Sequence, residues 1–123
     1  MSDEAAMHDQ LVLELYTRNI SASVAFYQRF GFRLLSTQPH FVELGWDQTQ
    51  LYLEEVEDAP EPGGRLVGNV RVLVPDVDRY WQLAQEIGCP VIRPLEDRYY
   101  GLRDFTIAGP DGIGLRFATR LAQ

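Results

Sequence analysis

The feature that most constrains this sequence is that its second half repeats its first. A strand, a helix and a glycine stop recur at a separation of 57 residues, and two later strands recur at a separation of 64. The difference of seven residues predicts an inserted loop at about 95–101. The matched pairs are Leu13 with Val70, Leu15 with Val72, Asn19 with Asp76 and Gly31 with Gly88 at 57, and Phe41 with Phe105, Leu51 with Leu115 and Leu53 with Phe117 at 64.

Each half is predicted to be one βαβββ unit. The first helix begins near Asn19 or Ser21, which are good N-caps, and stops at Gly31; the second runs from about Asp76 to Gly88. Alternation of apolar and polar residues indicates strands that are buried on one face. The strands are expected near 11–16, 32–36, 41–45, 50–55, 69–74, 90–93, 104–108 and 113–118, in units of about 11–56 and 68–120, joined by an acidic Pro/Gly linker at 57–67 within a single domain of 1–123.

Composition excludes several classes of function. A net charge of -7 argues against nucleic-acid binding, and no apolar run is long enough to cross a bilayer. All eleven basic residues are arginine, so lysine Schiff-base chemistry is excluded. The single Cys89 cannot form an internal disulfide, which fits the cytoplasm. The first ten residues are acidic and polar, unlike a secretory signal, and read as a flexible lead-in.

Two motifs carry a family resemblance. The helix start Asn-Ile-Ser-Ala-Ser-Val-Ala-Phe-Tyr and the closing Tyr-Gly-Leu-Arg-Asp-Phe-Thr-Ile-Ala-Gly-Pro-Asp-Gly resemble the vicinal oxygen chelate superfamily over about 11–120. That superfamily includes glyoxalase I, extradiol dioxygenases, fosfomycin-modifying transferases and bleomycin-resistance proteins. The resemblance implies an α+β fold in which two tandem βαβββ units form a cup-shaped curled sheet with helices outside.

The resemblance also implies where a metal would bind. Metal-using members take one ligand from the first and one from the fourth strand of each unit, and the equivalent positions here are Val12, Tyr52, Asn69 and Arg116. An alkyl group, a neutral phenol, an amide and a permanent cation are a poor donor set for a divalent ion. We therefore expect these four residues to converge on one spot, with no metal, no other cofactor and no catalytic residue.

Strand alternation predicts which side chains share the cup with those positions. Tyr16 and Tyr52 would offer flat contact surface, and polar groups beside them would orient a small molecule. Two tyrosines in the inserted loop would form a lid or wall. The alternative is that Glu14, Arg71 and Arg116 form an ion-pair cluster that fills the place of the metal. The candidate ligand-binding residues are Glu14, Tyr16, Gln50, Tyr52, Asn69, Arg71, Tyr99, Tyr100 and Arg116.

Other conspicuous residues are assigned to structure. Phe41 is expected in the core, Trp46 in a packed turn and Trp81 on the buried stripe of the second helix. His40 is expected at the surface, and Cys89 as a buried, inert thiol.

The function that this pattern favours is that of the metal-free bleomycin-resistance branch. The protein would sequester a small ligand, cationic or aromatic, in a cup at a homodimer interface, without chemistry. Two alternatives stay open: a metal-dependent glyoxalase-like lyase or dioxygenase, and a regulatory module with a vestigial cup. Contact between Glu14 and Arg116 would favour the latter.

Overall fold

Ten strands and helices alternate in two successive βαβββ patterns in the computed structural model, which describes residues 10–59 and 64–122. The α+β class and the duplicated unit predicted from the sequence are confirmed. The first unit contains β1 (Leu13–Thr17), α1 (Ile20–Arg29), β2 (Arg33–Gln38), β3 (Phe41–Trp46) and β4 (Thr49–Glu55). The second contains β5 (Gly68–Leu73), α2 (Val77–Ile87), β6 (Val91–Asp97), β7 (Leu102–Ala108), a short 3-10 turn (Pro110–Gly112) and β8 (Ile113–Arg120).

The strands form two separate four-stranded sheets with the same topology. Their orders are β1-β4-β3-β2 and β5-β8-β7-β6. The pairs β1/β4 and β5/β8 are parallel, and the other pairs are antiparallel. No backbone ladder joins the two sheets within the described residues, so β1 and β5 are unpaired along one edge.

The helices begin and end where the sequence predicts. Asn19 accepts a hydrogen bond from the Ala22 N–H at 3.0 Å, which satisfies one of the free amides of α1. Helix α1 is followed by Gly31 at φ 113°, and α2 ends at Gly88 in the left-handed region at φ 84°. A side chain would be strained at either glycine.

One apolar core is shared by the helix-bearing faces of both sheets. Phe117 on β8 stacks on Tyr80 of α2 at 4.4 Å between ring centroids. It also lies 5.7 Å from Phe30 and 5.9 Å from Trp46, which belong to the first unit. The assignments of Trp46 and Trp81 to packed positions are confirmed, since Trp81 packs edge-on against Phe105.

The assignment of Phe41 to the core is wrong. Phe41 lies opposite Glu54 in the β3/β4 ladder, and its ring packs at 5.4 Å against Tyr52 on the face away from the helices. The residue opposite the matching Ala118 in the second sheet is Asp104. The counterpart of Phe41 is therefore Asp104, at a separation of 63 and not 64.

The turn between β7 and β8 explains this error of one residue. Trp46 pairs with Thr49 across two intervening residues, whereas the chain from Gly109 to Ile113 has three, including Pro110. Because successive side chains on a strand point to opposite faces, a slip of one residue exchanges the faces.

Part of the inserted segment is strand rather than loop, since three of its seven residues belong to β6. Strand β6 extends to Asp97 and β7 starts at Leu102, so only residues 98–101 of the predicted loop 95–101 lie outside a strand. The added length also produces a register shift between Arg93 and Glu96. The added residues make the β6/β7 hairpin of the second sheet longer than the β2/β3 hairpin of the first.

Three smaller expectations have clear outcomes. His40 is exposed, as predicted, and lies 2.8 Å from a Glu55 carboxylate oxygen. Cys89 is half-buried against the core, and burial raises the pKa of its thiol. No helix in 10–59 and 64–122 is long and apolar enough to span a bilayer. The lead-in at 1–9 and part of the linker, 60–63, lie outside the described residues.

Candidate ligand-binding site

Each sheet has a face that the helices do not cover, which we call its open face. Strand alternation and register place the predicted site residues on these two faces, four on the first sheet and five on or beside the second. The first open face carries Glu14, Tyr16, Arg33, Phe41, Glu43, Gln50, Tyr52 and Glu54. The second carries Asn69, Arg71, Leu73, Arg93, Asp104, Thr106, Gly114 and Arg116.

A row of polar side chains crosses all four strands of the second sheet. Arg71 lies opposite Arg116, Arg116 lies opposite Thr106, and Thr106 lies opposite Arg93. Directly opposed residues in a sheet have their Cβ atoms about 5 Å apart, so these four groups are neighbours. Three guanidinium groups are thus brought to one strip of the surface.

Asp104 organises the arginines around it. Its carboxylate is fully buried and accepts hydrogen bonds from Arg98 Nε at 2.8 Å and Arg116 Nη2 at 3.2 Å. Tyr100 donates its hydroxyl proton to the same carboxylate at 2.7 Å, and Arg71 Nη1 lies 3.5 Å away. Arg116 also donates to the Tyr100 oxygen at 2.6 Å. This network fixes the direction of Arg116.

The network keeps Asp104 ionised. Burial alone would raise the pKa of this carboxyl, but hydrogen bonds from Arg98, Tyr100 and Arg116 outweigh burial and lower the pKa below its ordinary value. The same contact with Asp104 raises the pKa of Arg98. A buried carboxylate is therefore compensated by guanidinium groups.

The first open face is built differently. Glu14 and Tyr16 are exposed on β1, Tyr16 with 58% of its surface accessible, and Tyr52 lies opposite Glu14 on β4. Glu43 and Glu54 lie on the same face. In the described part of the chain, none of these three glutamates forms an ion pair.

The expectation that Glu14 would form an ion pair with Arg71 and Arg116 is wrong, because the acid that pairs with these arginines is Asp104. Both arginines instead reach Asp104, which lies within their own sheet. An ion-pair cluster does exist, but it leaves Glu14 free of it. The contact that would have favoured a vestigial cup is therefore not formed among the described residues.

The structure brings some of the predicted site residues together and leaves others apart. Arg71, Tyr100 and Arg116 meet at Asp104, and Asn69 and Arg116 line one groove of about 580 Å³. Gln50 and Arg71 border a second groove, of about 350 Å³, between the sheets.

Four predicted residues stand apart from both the Asp104 network and these two grooves. Glu14, Tyr16 and Tyr52 belong to the other sheet, and Tyr99 is 98% exposed, touching Tyr100 at 5.1 Å between rings. Val12 directly precedes β1 and Tyr52 lies on β4 of the first sheet, whereas Asn69 and Arg116 lie on the second, so the four expected metal positions are divided between the two units. Ligand binding by these residues stays a prediction.

Three members of the second open face were missed from the sequence, namely Arg93, Asp104 and Thr106. The available signal was a charged residue, Asp104, directly before the apolar run of β7. A correct separation of 63 would have placed Asp104 and Thr106 on the open face.

The residues at the metal positions do not fit a divalent cation. The second pair consists of Asn69 and a guanidinium that is already bonded to Asp104. No group of three or more His, Cys, Asp or Glu side chains in the described ranges could hold a metal ion. This surface is suited to hydrogen bonding and aromatic contact.

The chain consists of two βαβββ units of one topology that share a core. Each unit leaves one face of its sheet open, and this arrangement defines the class of fold. Residues 9–117 match the family model of the Glyoxalase/Bleomycin resistance protein/Dioxygenase superfamily. The chain belongs to this superfamily. No curated protein matches it.

Solved structures agree on the fold. TioX from Micromonospora sp. ML1 is 26% identical, with a TM-score of 0.77 over 93% of this chain and 100% of that one. A bleomycin-binding protein complexed with bleomycin is 20% identical, with a TM-score of 0.73 over 92% and 99%. Lactoylglutathione lyase from Agrobacterium tumefaciens is 18% identical, with a TM-score of 0.73 over 90% and 92%. The fold is thus shared by binding proteins and by an enzyme.

Proposed function

We propose that this chain is a small-molecule binding protein that acts without a metal. The observation that carries the proposal is the hydrogen bond from Arg116 to Asp104, which fixes the Arg116 guanidinium beside a groove of about 580 Å³. Where the family resemblance implies a metal ligand, this chain presents a fixed hydrogen-bond donor. Such a site recognises a ligand by donors and aromatic surface.

The proposed site is a cup formed by the first open face of one protomer and the second open face of its partner in a homodimer. The first face would contribute aromatic surface and carboxylates, and the second would contribute donors. The contributing residues are Glu14, Tyr16, Gln50 and Tyr52 from one protomer and Asn69, Arg71, Tyr99, Tyr100 and Arg116 from the other.

Two observations support assembly of the cup from two chains. Within 10–59 and 64–122, the edge strands β1 and β5 have no ladder partner on their outer side, and they expose Leu13 and Leu73 by 47% and 48%. The open faces also differ in charge, since glutamates predominate on the first and arginines on the second. Faces of opposite charge attract each other and set the orientation of association.

The ligand class follows from the first open face and the net charge of -7. Three glutamates beside Tyr16, Phe41 and Tyr52 suit a cationic, aromatic molecule. Bleomycin is a reasonable probe because a structural neighbour is a bleomycin-binding protein. The whole chain, 1–123, would act as one domain, and a cytoplasmic location and a role in antibiotic resistance stay predictions.

Calorimetric titration with bleomycin and with smaller aromatic cations tests this function. We expect saturable heat, with affinity about 3- to 10-fold weaker in Glu14→Gln, since one charge-assisted contact is removed. Glu86→Gln on the exposed side of α2 is the matched control and should bind as the parent does. A flat response to every probe would remove the binding function.

Ultracentrifugation tests the shared cup. We expect a dimer, and we expect ligand affinity to fall when the protein is diluted below the dimer dissociation constant. Full binding by a monomer would refute the two-chain cup while leaving the binding function intact.

The alternative function is a metal-dependent glyoxalase-like lyase or dioxygenase. Native mass spectrometry of protein purified without chelator separates the two functions. About one Ni, Zn, Fe or Mn per chain would favour the enzyme, and its absence together with a bound organic mass would favour the binding protein.

A further inference from the structure

The second open face holds two buried polar atoms that have no hydrogen-bond partner among the described residues. They are the Nε–H of Arg116 and the hydroxyl of Thr106, whose residues are 7% and 1% exposed. Buried polar groups are nearly always hydrogen-bonded, because leaving one without a partner is destabilising. Two such atoms on directly opposed residues of β7 and β8 indicate a missing acceptor.

The surroundings of this pair carry surplus positive charge. Arg116 also borders a groove of about 390 Å³ to which Arg71, Arg93 and Arg120 contribute, and no carboxylate lines it. The nearest acid, Asp104, is already shared by Arg71, Arg98 and Arg116. A water molecule would satisfy one donor, but it would not offset this charge.

The backbone leaves space beside the pair. Gly114 lies on the same face, and a Cβ there would overlap Asn69 Oδ1 and come within 3.0 Å of Thr106 Cγ2. Glycine therefore lets the Asn69 carboxamide lie over β8, next to Thr106. Asn69, Thr106, Arg93 and Arg116 all line the groove of about 580 Å³.

We propose that this groove binds the oxyanion of a small acidic molecule, a carboxylate or a phosphate, through Arg116 Nε–H and the Thr106 hydroxyl, with Arg93 in the same groove and Arg71 in the adjoining groove of about 390 Å³. The inference rests on the proposed function, because it assigns a chemical group to half of the same cup. The ligand is then bipolar, with its cationic or aromatic part on the first open face and its acid on the second. Arg116 presents different donors to Asp104 and to the ligand, so the internal ion pair and the ligand do not compete for one N–H.

Three probes of similar size test the charge requirement by calorimetry: benzoate, phenylphosphate and benzamide. We expect saturable binding of at least one anion and none of neutral benzamide. A preference for benzoate would identify the group as a carboxylate, and a preference for phenylphosphate would identify a phosphate. Equal binding of benzamide and both anions would overturn the proposal. A lack of saturable binding by both benzoate and phenylphosphate would overturn it as well.

Two variants locate the site. Thr106→Val removes an unpartnered hydroxyl, so the protein should fold as the parent does and bind the anion about 3- to 10-fold more weakly. Arg116→Gln should weaken binding by at least about 10-fold, because a charged donor is lost. Arg79→Gln, on the exposed surface of α2, removes one positive charge elsewhere and should leave affinity unchanged. Unchanged binding in Thr106→Val would refute this placement even if Arg116→Gln failed to fold.

The outcomes separate this inference from the proposed function. Bleomycin binding that is insensitive to both variants, with no benzoate or phenylphosphate binding, would refute the anion site and leave the binding function standing. Anion binding that depends on Thr106 without any response to bleomycin or aromatic cations would support the anion site and refute the assignment of a cationic, aromatic ligand to the first open face.

Discussion

The two sheets of this chain share a topology but stabilise their open faces in different ways. Where the first sheet has Glu14 and Tyr52 side by side, the second has Arg71 and Arg116 at the equivalent positions, both held by the buried Asp104 of β7. Among the described residues the glutamates of the first open face form no ion pair, whereas the charged groups of the second form a connected network. Two units of the same topology thus carry different side-chain chemistry, mainly glutamates and aromatic residues on the first open face and arginines around Asp104 on the second.

Removal of Asp104 should expose this difference most clearly. In Asp104→Asn, three arginines lose their common carboxylate and Arg116 is left buried with an uncompensated charge. We expect a loss of about 3–5 kcal/mol in the free energy of unfolding, measured with urea. The matched change Glu43→Gln on the first open face should cost less than about 0.5 kcal/mol. Similar losses in both variants would contradict the comparison.

The same network predicts that the free energy of unfolding decreases at low pH. The pKa of Asp104 is lowered in the folded protein, so its contribution is fully present above the unfolded pKa of about 3.9 and is lost as pH falls through the folded pKa. Urea unfolding from pH 6 to pH 2 should therefore show a steeper decline for the parent than for Asp104→Asn. Parallel curves would mean that Asp104 is not stabilised by its arginines.

The two helices differ in the number of side chains that cap them. Helix α1 has Asn19 at its N-cap and also Glu55, which accepts from the Ile20 N–H at 3.0 Å. Helix α2 relies on Thr119, which accepts from the Val77 N–H at 2.8 Å, while Asp76 makes no capping bond.

Replacement of Thr119 should therefore be costly. Thr119→Val should lower the free energy of unfolding by about 1–2 kcal/mol, and Asp76→Ala by only about 0.3–0.5 kcal/mol. Thermal or urea unfolding of both variants measures this. A larger loss from Asp76→Ala would show that Asp76 is the main cap.

Two buried threonines give the smallest and most specific contrast. Each is 1% exposed, but the Thr17 and Ser23 hydroxyls are hydrogen-bonded at 2.5 Å, whereas the Thr106 hydroxyl has no hydrogen-bond partner in the described part of the chain. Thr17→Val should lower stability by about 1 kcal/mol, and Thr106→Val should leave it unchanged or raise it by less than about 1 kcal/mol. A clear loss in Thr106→Val, measured in ligand-free protein, would mean that its hydroxyl already has a partner.

Most of the fold was predictable because it depends on local signals. Alternation located the strands, and the N-caps and Gly88 set the bounds of the helices. Registers across a hairpin are different, because they depend on the length of a turn. The added Pro110 between β7 and β8 was enough to exchange the faces assigned to Phe41 and Asp104.

The site was predictable only in part, for the same reason. Arg71 and Arg116 could be placed on the open face from β5 and β8 alone. Their partner Asp104 sits on β7, whose register the sequence did not reveal. Nor does strand alternation state whether the open faces of one chain meet, since that depends on how the units pack through the core.

The bond between Arg116 and Asp104 also limits which side chains position 116 can accept. Arg116→Glu would introduce a carboxyl group at a position that the family resemblance equates with a metal ligand. It would also set two carboxylates side by side in a buried site, where one of them would take up a proton. A carboxylate ligand at position 116 thus requires Asp104 to change as well, so one substitution is not enough to build a metal site beside this network.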